Sequence, residues 1–139
     1  MILFKIPGEP VAKARPRITG KGIAYTPKKT VNYENLVKEI YMITYGQTML
    51  EGELAIDLKL YFQIPKSASK KKKDDMEAGE IRPTKKPDLD NVLKAITDSL
   101  NGIAYGDDSQ IVRATVEKYY SQVPRAEVMI NQINKGETA

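Results

Sequence analysis

Apolar and polar residues alternate most regularly between Leu54 and Ile64. Every second position there is Leu, Ile or Phe, and the positions between them are largely polar. A period of two residues predicts a β-strand with one buried face, and Pro65 marks its end. Shorter segments of the same kind predict three further strands: Ile2–Ile6, Ile111–Tyr120 and Ala126–Ile133.

Turn-forming residues predict two hairpins. Residues 121–125 include Pro124 and join the last two strands by a short connection, so these strands are expected to pair with each other. Gly20 and Gly22 flank a turn between the basic segment 13–17 and a short strand at Ile23–Tyr25.

A period near 3.6 residues predicts two helices. The first begins with Thr26 as N-cap and Pro27 at the first helical position, and Gly46 ends it. The second runs from about Leu89 to about Asn101, before the stop signal at Gly102. Their apolar positions are Tyr33, Leu36, Val37 and Ile40 in the first helix, and Leu89, Val92, Leu93, Ile96 and Leu100 in the second.

The order of these elements predicts a single α+β domain over residues 1–139, with a mixed β-sheet flanked by helices. Residues 66–86 have the composition of a charged, mobile insertion, and a short helix over Ser67–Met76 is compatible with it. The tail 134–139 is expected to fray. Regular βαβ alternation and a glycine-rich phosphate loop are both lacking, so no nucleotide cofactor is expected.

The residue types that are missing narrow the chemistry. The 139 residues include no Cys and no His, which excludes thiol nucleophiles, zinc–cysteine sites, histidine bases and Ser-His-Asp triads. The lack of cysteine fits a reducing cytoplasm, and no apolar run is long enough for a membrane span. The sequence therefore predicts a cytoplasmic protein without a membrane partner.

Positive charge is concentrated in two parts of the chain. Fifteen of the 22 Lys and Arg residues lie there, seven in residues 1–30 and eight in residues 66–86, although the net charge is only +4. Such clustering indicates a polyanionic ligand, and arginine in a proline-stiffened segment suits phosphate contacts. The residues predicted to bind DNA are Lys13, Arg15, Arg17, Lys85 and Lys86.

An acidic stretch lies directly after the second basic segment. Asp88 and Asp90 open the second predicted helix, and Asp107 and Asp108 follow its end on a short loop. With Asp88 in the extended chain that enters the helix, the first two carboxylates share a side, which is costly unless a cation binds them. A chain reversal can return the later pair to the same point. Carboxylates without Cys or His suit Mg²⁺, with Mn²⁺ as a substitute.

Each acid also has an ordinary structural explanation that the residues leave open. Asp88 or Asp90 can serve as the N-cap of the helix. Asp90 and Lys94 can form a surface ion pair worth about 0.2–0.5 kcal/mol. Asp107 and Asp108 can belong to a simple turn.

Two segments resemble the RusA family of Holliday junction resolvases. The run KKPDLDNVLKAITDSLNGIAYGDDSQI is similar to the family's D-x-D-N-x-x-K segment, helix and D-D-x-Q, and GEPVAKARPR is similar to its opening segment. The resemblance implies a homodimeric, magnesium-dependent endonuclease, of bacterial or phage origin, that nicks four-way DNA junctions. Its catalytic carboxylates match Asp88, Asp90 and Asp108, with Asp107 as the alternative to Asp108, and its essential lysine matches Lys94.

The leading hypothesis is therefore a metal-dependent endonuclease for branched DNA. One rival is a non-catalytic module that binds nucleic acid through its basic segments, in which the acids are only structural. A second rival is a small-molecule metal phosphohydrolase, which would need a deep pocket and no extended basic surface.

Overall fold

A computed structural model describes residues 1–133, and the tail predicted to fray, 134–139, lies outside the described residues. The strands are β1 (Ile2–Pro7), β2 (Arg17–Ile18), β3 (Ala24–Tyr25), β4 (Leu54–Gln63), β5 (Ile111–Ser121) and β6 (Arg125–Gln132). The helices are α1 (Lys28–Tyr45), α2 (Lys70–Glu77) and α3 (Leu89–Ser99), and a 3₁₀ turn spans Asp108–Gln110. This content confirms the predicted α+β class.

Four strands form a mixed sheet in the order β1-β6-β4-β5. β1 and β4 both pair antiparallel with β6, whereas β4 and β5 run parallel. A parallel pair requires a crossover connection, and the segment containing α2 and α3 provides it.

The predicted hairpin of the last two strands is wrong, because β4 lies between β5 and β6. Tyr61 of β4 pairs with Tyr119 on one side and with Arg125 on the other. Residues 122–124 therefore cross the end of β4. A short connection with a proline indicates that the chain reverses, but it does not indicate which strand lies between the two arms.

The core lies between the sheet and the pair α1 and α3. β1, β4 and β6 bury alternate residues, as their period of two predicts, and α1 contributes Tyr33, Val37 and Tyr41. The rings of Phe4 and Tyr41 meet edge to face with centroids 5.3 Å apart. Tyr33 and Tyr41 of α1 are therefore core residues.

The start of α1 differs from the prediction by one residue. Pro27, and not Thr26, occupies the N-cap position, and no side chain caps the helix. Gly46 ends the helix as predicted, with a positive φ of 72° that favours glycine.

Helix α3 buries its middle and its end and leaves its first turn at the surface. Val92, Ile96 and Leu100 are buried as predicted, but Leu89 is 42% exposed. Ala95 and Ser99 are buried as well. The acidic residues at the start of α3 are consequently accessible.

The two charged segments predicted outside the core both have defined structure. The basic segment forms the predicted hairpin, in which Arg17 pairs with Tyr25 and Ile18 pairs with Ala24. In the segment 66–86, α2 begins after Ser69, whose Oγ accepts a hydrogen bond from the Lys72 N–H, and packs against β5. No helix in residues 1–133 combines the length and the hydropathy needed to cross a membrane.

Candidate active site

The first turn of α3 presents two free carboxylates. Asp88 occupies the N-cap position with extended backbone angles, φ −69° and ψ 143°, but its side chain accepts no capping hydrogen bond. Asp90 lies in the first turn. Both are exposed, and neither forms an ion pair within residues 1–133. The N-cap explanation therefore accounts for the position of Asp88 but not for its carboxylate.

The loop that carries the later acids is fixed by Tyr105 and Gln110. The buried Tyr105 hydroxyl donates a hydrogen bond of 2.7 Å to the carbonyl of Thr97 in α3. Gln110 accepts from the N–H groups of Gly106 and Asp107, at 3.0 and 3.2 Å. Its amide donates to the carbonyls of Leu50 and Gly52, at 2.9 and 3.1 Å. The glutamine of the D-D-x-Q motif thus holds the acidic loop in place.

Asp107 and Asp108 have different environments. The Asp107 carboxylate accepts a hydrogen bond from the Ser109 N–H at 3.3 Å and caps the 3₁₀ turn. Its hydrogen bonds with Ser109 lower the pKa of Asp107. Asp108 is half-buried beside Asp98, and burial first, then hydrogen bonding with Asp98, raises the pKa of Asp108. The turn explanation thus describes Asp107, and Asp108 remains the candidate ligand.

Asp98 connects this loop to two lysines, and the sequence did not single it out as a site residue. Its Oδ2 lies 3.5 Å from the Lys94 Nζ and 3.6 Å from the Lys13 Nζ. Lys13 also contacts Glu34 of α1, with 2.8 Å between Nζ and Oε2. The surface ion pair that Asp90 and Lys94 could form is not present, and Lys94 pairs with Asp98 instead. Asp98 lies four residues after Lys94, which is the spacing of an ordinary helical ion pair. The sequence around Asp98 therefore gave no sign of a functional role.

The acidic side chains fall into two groups along α3. Asp108 returns to α3 at Asp98, two turns beyond Asp90, which is roughly 12 Å along the helix axis. The sequence suggested that the chain returns Asp108 to Asp88, but the structure places Asp108 beside Asp98 instead. Among residues 1–133 no group of three or more acidic side chains is close enough to hold a metal ion.

The donor chemistry nevertheless suits a hard cation. Asp98 lies near enough to Asp108 to raise the pKa of Asp108, and the ammonium groups of Lys13 and Lys94 offset part of the charge at Asp98. Carboxylates gathered in this way favour a further cation. Asp88 and Asp90 add unpaired oxygen ligands of the kind that Mg²⁺ prefers. The assignment of Asp88, Asp90 and Asp108 as metal ligands stays a prediction.

The predicted DNA contacts also divide into two kinds. Lys13 is engaged with Glu34 and Asp98, so its ammonium is not free. The other four are exposed and form no ion pair in the described part of the chain: Arg15, Arg17, Lys85 and Lys86. Lys85 and Lys86 directly precede Asp88 and Asp90 in the chain, and Arg17 lines the same cavity as Lys86 and Asp88.

Comparison with known proteins identifies the family. A family model described as Endodeoxyribonuclease RusA matches residues 7–131, nearly the whole chain. The chain belongs to the RusA endodeoxyribonuclease family. The matched range includes the basic N-terminal segment, α3 and the acidic loop. Both the exposed basic residues and the four aspartates of the candidate site therefore lie within the part of the chain that matches the family.

A full-length relative is found in Bacillus subtilis (strain 168). The chain is 42% identical to its "Uncharacterized protein YqaN" over 138 residues, which cover 96% of this chain and 97% of the relative. The relative's name gives no activity, so the RusA family supplies the functional class.

Proposed function

We propose that this RusA-family chain is a magnesium-dependent endonuclease that resolves four-way DNA junctions by paired symmetric nicks during recombination and repair. The observation that carries the proposal is the pair of free carboxylates, Asp88 and Asp90, on the same helix as Lys94, whose ammonium is exposed. Carboxylates that form no ion pair among residues 1–133 are available as oxygen ligands. In a family of endodeoxyribonucleases, such an arrangement points to phosphodiester hydrolysis.

Asp88, Asp90 and Asp108 are the residues proposed to supply metal ligands, and they do so as two separate groups, Asp88 and Asp90 at the start of α3 and Asp108 beside Asp98. Bound Mg²⁺ supplies Lewis-acid charge neutralisation and a water of lowered pKa. The chain supplies a fixed Asp108, through the hydrogen bonds of Tyr105 and Gln110.

Lys94 is proposed to stabilise negative charge on the phosphate in the transition state. Its ammonium lies 3.5 Å from Asp98, and its side chain is 61% exposed. It can therefore meet a phosphate without first leaving a buried position. Electrostatic stabilisation of this kind is commonly the largest single contribution of a side chain to catalysis.

Arg15, Arg17, Lys85 and Lys86 are proposed to hold the DNA strands. Their charges are not neutralised by acidic partners among residues 1–133. Arginine binds phosphate oxygens in a bidentate manner, and clustered cations release counterions from DNA. No nucleotide cofactor is part of this proposal.

A homodimer is proposed to make the two nicks. A four-way junction has approximate two-fold symmetry, and a C2 dimer matches it with one acidic site in each protomer. Sedimentation equilibrium at micromolar concentration tests this. A dimer is expected, and a mass near 15.6 kDa both free and on junction DNA would contradict it.

The substrate is tested with a labelled four-way junction and a linear duplex of the same arm sequence. With Mg²⁺ the junction is expected to be nicked and the duplex left intact, and chelation by EDTA is expected to stop the reaction. Tight binding without cleavage under any divalent cation would favour the non-catalytic binding module instead.

A further inference from the structure

The helix side of the protein carries a cleft with two lobes, and the proposed function uses only Arg17, Lys85, Lys86 and Asp88 of its lining. The lobes, about 480 and 320 Å³ in volume, share Pro10, Lys29, Lys86 and Pro87 along their border. The larger one, here the acidic lobe, extends to Asp88. The smaller one, here the aromatic lobe, extends away from Asp88 to the carboxyl ends of β4 and β5 and has one carboxylate, that of Glu9, in its lining. The cleft is thus continuous with the candidate active site.

Apolar groups make up half of the lining of the aromatic lobe, and four lysines, Glu9 and Gln63 make up the other half. Phe62 is buried in its wall, and Tyr120 is half-buried. Four prolines complete the apolar lining: Pro10, Pro65, Pro83 and Pro87. Rings of this kind offer faces on which a nucleobase can stack.

The border of the cleft carries free positive charge. Lys29 and Lys86 line both lobes and Lys85 lines the aromatic lobe, and none of them forms an ion pair in residues 1–133. Lys118 has a different role, because its Nζ donates to the carbonyls of Lys85 and Pro87 at 2.6 and 2.9 Å. Lys118 therefore fixes the loop that presents Lys85 and Lys86, while those two ammonium groups stay available.

We propose that the aromatic lobe binds one unpaired nucleotide of the DNA strand that is cut at the neighbouring acidic lobe. Its base stacks on Tyr120 and the adjoining prolines, and its phosphates meet Lys29 and Lys86. A base inside a duplex has both faces covered by its neighbours, whereas a base at the branch point of a junction can leave the stack at low cost. This lobe therefore favours branched over linear DNA. The inference rests on the proposed function and names the part of the substrate that the cleft recognises.

Photocrosslinking tests the inference directly. The probe is a four-way junction that carries 5-iodouracil at single positions flanking the branch point, bound in EDTA so that no cleavage occurs. Irradiation is expected to crosslink the base to the peptide containing Tyr120, and a linear duplex with the same label is expected to give no such product. Tyr120→Leu should weaken junction binding roughly 5-fold or more, from the usual effect of removing one stacking ring, and Tyr120→Phe should restore it.

Lys29 and its neighbour Lys28 provide a matched pair of variants that tests the role of positive charge in the cleft. Lys28 is the neighbouring exposed lysine and lines neither lobe. Lys29→Ala should lower the log–log salt slope of junction binding by roughly 0.7–0.9 and reduce the crosslink, whereas Lys28→Ala should do so much less. Lys29→Ala changes a surface residue and tests the cleft even if Tyr120→Leu fails to fold.

The outcomes separate this inference from the proposed function. If the wild-type protein binds and cuts the junction but crosslinks outside the cleft, or if Tyr120→Leu and Lys29→Ala bind as the wild type does, the nucleotide site is wrong and the nuclease proposal stands. If the wild-type protein neither binds nor cuts the junction, both fail. A crosslink of equal yield from the linear duplex would overturn the preference for an unpaired nucleotide.

Discussion

Lys13 and Asp98 form an ion pair of 3.6 Å that joins the N-terminal basic segment to α3. The Lys13 ammonium also contacts Glu34 of α1 at 2.8 Å, and its backbone N–H donates to the carbonyl of Asn91 at 2.8 Å. Burial opposes the charge, but hydrogen bonding with Glu34 and the nearby carboxylates outweigh it and raise the pKa of Lys13. Lys13 therefore stays charged at neutral pH and fixes the segment that presents Arg15 and Arg17.

The first prediction separates this role from DNA contact. Lys13→Met should lower the free energy of unfolding by about 1–2 kcal/mol, because two half-buried carboxylates lose a partner, and should leave the salt slope of junction binding unchanged. The double variant Arg15→Ala/Arg17→Ala should instead lower that slope by roughly 1–2 units at unchanged stability. Urea unfolding and salt titrations measure both. A lower salt slope of junction binding for Lys13→Met would show that Lys13 contacts DNA.

The second prediction concerns the metal ligands. Asp88→Asn, Asp90→Asn and Asp108→Asn should each abolish cleavage, since each removes a ligand charge. Junction binding should persist or tighten, because less negative charge faces the phosphates. Asp74→Asn, at an exposed acid of α2, is the matched control and should cut normally. Wild-type cleavage by Asp90→Asn would remove Asp90 from the site.

Lys94 is the subject of the third prediction. Lys94→Ala should reduce single-turnover cleavage roughly 100-fold or more, with little change in folding stability, since exposed helical ion pairs contribute only tenths of a kcal/mol. Cleavage is followed on denaturing gels and stability by thermal unfolding. A variant that unfolds yet cuts at the normal rate when folded would show that Lys94 is only structural.

The fourth prediction uses the raised pKa of Asp108. An ionised Asp108 beside Asp98 disfavours the folded state, so Asp108→Asn should raise Tm in EDTA at neutral pH by a few degrees. Because the pKa of Asp108 is raised in the folded state, the loss of stability is fully present at pH values above that folded-state pKa. It disappears as the pH falls below the ordinary pKa of Asp, because Asp108 is then neutral in both the folded and the unfolded state. The gain in Tm should therefore vanish in acid. Asp74→Asn, at an exposed acid of α2, is the control and should leave Tm unchanged at both pH values.

The parts of the fold that were predictable from sequence have an unambiguous period and clear ends. Strand β4 alternates apolar and polar residues up to Pro65, and helix α3 buries Val92 and Ile96 at helical spacing. Both have the predicted type and nearly the predicted bounds. The pairing of β5 and β6 was not predictable, because the connection 122–124 does not reveal that β4 lies between them.

The candidate site was predictable in residue type but not in arrangement. The four aspartates and Lys94 were identified from one stretch, but Asp98 resembled half of a surface ion pair. Its contact with Asp108 depends on where the loop after α3 returns, which Tyr105 and Gln110 set through contacts distant in sequence. For the same reason the ion pair of Lys13 with Glu34 was not predictable, and whether Lys13 also contacts DNA is what the first prediction tests.

The fifth prediction concerns paired cutting, and it is measured by cleavage of a supercoiled plasmid that extrudes a cruciform. The extruded cruciform is a four-way junction, and two nicks made within one binding event convert the circle directly into linear DNA. With Mg²⁺, linear product is expected from the start of the reaction, and none is expected in EDTA or with Asp90→Asn. Nicked circles without linear product would contradict paired cutting, and no cleavage with Mg²⁺ or Mn²⁺ would contradict the nuclease itself.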